Sequence, residues 1–82
     1  MVIKLSIERD DELFRLERLS RVSCFLAKEF ASKGEPLIIS ELEDHKGELT
    51  VTWTKEPNEK QKSIAIRGWE LENEYSIVHK IL

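Results

Sequence analysis

Between Leu13 and Phe30 the apolar residues Leu13, Leu16, Leu19, Val22, Leu26 and Phe30 return at spacings of three and four. That is the repeat of a helix with one apolar face, and it predicts a long amphipathic helix over Asp10–Lys33. Asp10 and Asp11 precede the first leucine, where carboxylates accept from the free N–H groups of a first turn and suit the positive end of the helix dipole. Lys33, Gly34 and Pro36 form the stop: a cation, then a residue that tolerates positive φ, then one that cannot continue a helix.

Period-two patterns flank this helix. Ile3, Leu5 and Ile7 alternate with Val2, Lys4 and Ser6, which predicts a half-buried strand over residues 2–7. After Pro36, Leu37 to Leu42 predicts a second strand. Asp44-His45-Lys46-Gly47 then forms a turn. Leu49, Val51 and Trp53 alternate with Thr50, Thr52 and Thr54 in a third strand. Beyond Pro57, the residues Ile64, Gly68, Leu71, Tyr75, Val78 and Leu82 fall four and three apart, predicting a second helix from about Asn58 to Ile81. Gly68 and the β-branched residues beside it keep open a short fourth strand at Ser63–Arg67.

The resulting order is β-α-β-β-α: an α+β, two-layer sandwich, a three-stranded sheet with two helices on one face. The first helix joins parallel strands through a crossover expected to be right-handed. The other sheet face, carrying Lys4, Ser6, Thr50 and Thr52, meets water.

The 82 residues are expected to form a single domain, 1–82. At 40% apolar and 35% charged, the composition suits neither disorder nor a membrane protein, and no apolar run approaches the roughly 20 residues needed to span a bilayer. The start of the chain lacks the basic-then-apolar pattern of a signal peptide, so a cytoplasmic location is expected. Cys24 is the single cysteine; at the edge of the helical apolar face it reads as a packed, inert thiol.

Chemistry is sparse. His45 and His79 have no partner at metal-ligand spacing, no nucleophile motif occurs, and no glycine-rich loop is available for phosphate. The carboxylates fall at a helix start, along the hairpin and on the last helix, places that suit caps and solvated surface better than a dry catalytic cleft. The chain is therefore expected not to be an enzyme and to need no cofactor or metal. A net charge of −3 gives no general attraction to nucleic acid, and the only strand aromatic, Trp53, points toward the helices rather than onto an open base-stacking face.

Surplus apolar surface is the remaining signal. Phe14, Arg18, Arg21 and Phe25 form a strip lying off the leucine face of the first helix, and Ile66, Trp69 and Ile77 lie off the stripe of the second. Aromatic residues and arginine are enriched in protein contacts. These seven residues are the candidate interface of a small soluble module, an inhibitor, adaptor or regulatory accessory protein. Its partner is another protein, with a second copy of the chain among the candidates. The alternative function is nucleic-acid binding through Arg15, Arg18, Arg21 and Lys28, or through the cations of residues 55–62.

Overall fold

The computed structural model describes residues 1–5 and 12–82. Its elements run β1 (Val2–Leu5), α1 (Glu12–Ser32), β2 (Ile39–His45), β3 (Glu48–Trp53), α2 (Glu59–Glu70) and β4 (Ser76–Ile81). The strands lie in the order β1-β2-β3-β4 in one mixed sheet: β1 and β2 are parallel, β2 and β3 antiparallel, β3 and β4 parallel. Both helices pack on one face of it, giving the expected α+β layering. The expected caps Asp10 and Asp11, and the end of the first predicted strand at Ser6 and Ile7, lie outside the described residues.

One core joins the layers. Leu19, Val22, Leu26 and Phe30 of α1 meet Ile39 and Leu42 of β2, Leu49, Val51 and Trp53 of β3, and Ile64, Ala65 and Trp69 of α2. Ile39 and Leu42 both reach this face although three positions separate them, because the β2–β3 register shifts between Ile39 and Glu41. Such a bulge absorbs one residue and resets the alternation. The hairpin closes on Lys46 and Gly47, with φ of 50° and 89°, the two left-handed positions of a tight turn whose twist matches its strands.

The second helix, expected to reach Ile81, ends at Glu70, and the fourth strand, kept open only at Ser63–Arg67, lies beyond it. Ser63–Arg67 is helical, and the added strand is Ser76–Ile81. The helical spacing of Leu71, Tyr75, Val78 and Leu82 is coincidental: all four are exposed. α2 starts where Asn58 and Gln61 close a reciprocal capping box, Asn58 Oδ1 accepting from Gln61 N–H at 2.8 Å and Gln61 Oε1 from Asn58 N–H at 2.9 Å. It ends before Asn73, whose φ of 62° is a left-handed conformation that asparagine tolerates better than most residues.

The units β1-α1-β2 and β3-α2-β4 step across the sheet in the same direction while their strands run oppositely. With both helices on one face, the two crossovers have opposite hands. One of them therefore departs from a general right-handed preference of about 98%.

Candidate interaction surfaces

Of the four residues expected to form an exposed strip on α1, Arg18 is instead drawn into the molecule and buried. Its Nε and one terminal nitrogen donate to Asp44 Oδ2 at 2.9 and 2.6 Å, and the other terminal nitrogen donates to Glu74 Oε1 at 2.9 Å. Asp44, on β2, is fully buried, and its second oxygen accepts the N–H of Gly47 at 3.0 Å. The Arg18 guanidinium lies 5.0 Å from the ring centres of both Phe14 and Trp69, near enough for cation–π attraction. Trp69 is sealed in the core, its indole N–H donating to Gly47 O at 3.1 Å. One network thus ties α1, the hairpin turn and the connection after α2.

Arg21 stays exposed but is held by Glu72, with nitrogen–oxygen distances of 2.6 to 3.1 Å. That bond raises its pKa above the ordinary arginine value. Phe25 is half-buried against the core, and a Cβ on Gly68 would come within 2.9 Å of its ring. Ile66 and Ile77 are half-buried, and Ile77 belongs to β4 rather than to a helix. The reading of Arg18 and Trp69 as surface residues is therefore corrected. Two carboxylates and the hairpin turn draw that side of α1 inward, a constraint that helical periodicity does not contain.

The same constraint turns a different face outward. Leu13 and Leu16, expected in the core, are 68% and 43% exposed, and Phe14 is 55% exposed. Behind them Ser20, Cys24, Ala27 and Ala31 are also exposed. Leu13, Leu16, Ser20, Cys24, Ala27 and Ala31 recur at spacings of three and four, a second stripe about 120° around the helix from the core stripe at 100° per residue. Cys24 is thus exposed rather than packed. The signal available in the sequence was this return of small uncharged residues in a chain otherwise rich in charge.

A cleft of about 260 Å³ lies where the end of α1 meets α2, lined by Lys33, Lys60, Ser63, Ile64 and Arg67. Glu29 reaches Lys33 at 3.7 Å and Arg67 at 3.6 Å, and Glu35 reaches Lys60 at 3.5 Å. At the other sheet edge, the Trp53 indole N–H donates to His79 Nδ1 at 3.1 Å. The pKa of His79 is lowered, first by burial and then by the charge of Lys62, with Glu59 acting in the opposite sense. Among the described residues, no group of three side chains gathers in a form that could hold a metal ion, and no helix is long and apolar enough to cross a membrane. No family model, curated protein or solved structure matches the chain.

Proposed function

We propose that this chain is a cytoplasmic, non-enzymatic module that acts by binding another protein, with the outer face of α1 as its docking surface and an amphipathic helix as the segment it receives. The observation that carries this reading is the second stripe, two large leucines followed by four small residues on an exposed helix face. Charged and long side chains normally occupy such a face. Small residues let a second helix approach closely, and the leucines offer ridges for its grooves. Phe14 extends the apolar surface around the front of the helix, keeping one member of the expected strip in this role. Arg18 and Trp69 are buried, Arg21 is held by Glu72, and Phe25, Ile66 and Ile77 are half-buried, so the reading rests on the stripe and Phe14.

Cys24, in the middle of the stripe, provides the probe. A photocrosslinker attached to its thiol is expected to capture a partner protein. A Leu16→Glu/Ala27→Glu variant is expected to lose that capture while keeping its circular dichroism and melting temperature. Equal capture by both folded proteins would refute the role of this face.

Nucleic-acid binding is the second reading, supported only by the three cations around the cleft. Arg15 and Arg18 are buried and Arg21 is paired with Glu72, so the first-helix version of this reading has lost most of its charge. The test is binding to random oligonucleotides across a salt series, where phosphate contacts give affinity that falls steeply with salt.

A further inference from the structure

β4 is the outermost strand on its side of the sheet. Leu82 donates its N–H to Trp53 O at 2.7 Å, so the backbone groups of Val78, Lys80 and Leu82 turn toward β3. By the period of two, those of Ile77, His79 and Ile81 turn away from it. Among the described residues no strand lies on that side. Edge strands are usually blunted by proline, by a bulge, by several charges or by a covering segment. β4 has no proline, its ladder with β3 runs without a register shift, and its single charge is Lys80. Apolar side chains line it instead: Val78 is 40% exposed, and Ile81, Leu82 and the preceding Tyr75 are more exposed still.

We propose that a second copy of this chain pairs with that edge, β4 against β4, antiparallel about a two-fold axis at His79, to form one continuous eight-stranded sheet. The strand fits itself in this register. Ile77 faces the partner's Ile81 on the helix side, and Val78 faces the partner's Lys80 on the open side. His79 meets its own copy. Three outward residues on each strand then exchange six backbone hydrogen bonds, as directly opposed pairs do in an antiparallel ladder. The neighbouring registers are poorer. A two-fold at Lys80 would set lysine against lysine, and one at Val78 would place Ile77 against histidine and bring Ile81 opposite Tyr75, beyond the end of the strand. The surface is separate from the α1 stripe, so this inference and the proposed docking function stand or fall independently.

Sedimentation of the purified chain over a concentration series is expected to show a monomer–dimer equilibrium. Val78→Lys places two lysines against two lysines across the axis and is expected to weaken the dimer about tenfold. Adding Lys80→Glu converts both contacts to opposite-charge pairs and is expected to restore it. Neither position faces the core, and a Leu16→Glu change on α1 should leave the equilibrium in place. In the wild type, amide exchange at Ile77, His79 and Ile81 is expected to slow as concentration rises. A monomeric mass at every concentration would overturn the inference. So would a dimer indifferent to Val78→Lys, a dimer lost with Leu16→Glu, or a double variant that stays as weak as the single one.

Discussion

Arg18 shows how one charged side chain can set the orientation of a whole helix. Removing it would leave Asp44 buried, with Gly47 N–H as the hydrogen bond shown to remain among the described residues. A buried charge deprived of its counter-ion typically costs about 3–5 kcal/mol. Arg18→Met is therefore expected to lower the unfolding free energy by about that amount in urea titrations. Adding Asp44→Asn should return a large part of it, since the amide oxygen can still accept from Gly47 while the stranded charge is gone. A double variant as unstable as the single one would show that the loss came from packing of the arginine stem. At Arg21, exposed beside Glu72, substitution by alanine is expected to leave the midpoint where it was, as exposed pairs usually do.

His79 carries a pH dependence of definite sign. The folded protein holds its ring neutral, because Nδ1 accepts the Trp53 indole N–H and burial and Lys62 disfavour the cation. The folded pKa is below the usual 6.5, so the unfolded chain binds this proton first as pH falls. Stability from this group is complete above the ordinary histidine pKa and declines on acidification, until the folded form protonates as well. His79→Gln keeps an acceptor for the indole and removes the titration. The difference in unfolding free energy between wild type and variant, measured from about pH 8 to pH 5, should change in this direction and no other.

At the scale of elements, Gly68 explains a misleading signal. A glycine within a helix costs about 1 kcal/mol relative to alanine, and from the sequence this argued against helix at 63–67. The structure gives the compensation: at Gly68, α2 approaches Phe25 of α1 so closely that a Cβ would sit 2.9 Å from the ring and 3.7 Å from Leu26. Gly68→Ala gains helix propensity but forces Phe25 to move, and overpacking a filled core costs about 1–3 kcal/mol. The expected net effect is a lower melting temperature, and a stabilised variant would mean that the ring moves freely. The strongly periodic elements were legible: the α1 core residues from Leu19 onward, the hairpin, and the inward face of β3 all follow from spacing and turn chemistry. The rest depended on tertiary contacts. No local pattern says that Asp44 is buried and waiting for Arg18, so α1 was turned the wrong way at its front half. Nor does spacing distinguish a helix from a turn and strand once Asn73 takes a left-handed conformation. Arg18 was read as a surface residue for the same reason: an arginine flanked by phenylalanines reads alike whether it meets a partner or its own hairpin.

For the molecule as a whole, the question is which apolar surface the fold uses and which it leaves over. A domain of this size has a total stability of about 4–12 kcal/mol, so a single core deletion removes a large share of it. Leu26 is fully buried, between the sheet and α2. Leu26→Ala is expected to cost about 2–5 kcal/mol from lost transfer energy and the cavity left behind. Leu16, ten residues away on the same helix, is 43% exposed, and replacing it by glutamate removes much less buried area than the loss of Leu26 while helix propensity is nearly unchanged. Urea unfolding should therefore separate the two: a steep loss of stability at position 26 and a midpoint within error of wild type at position 16. That contrast decides whether the outer stripe of α1 is part of the folding energy of the isolated chain. If Leu16→Glu destabilises as Leu26→Ala does, the leucine is packed against its own molecule and the docking surface disappears. If it is silent, two leucines and Phe14 remain largely uncovered on a helix that the core already holds by a different face. Apolar surface of that kind marks a site for association.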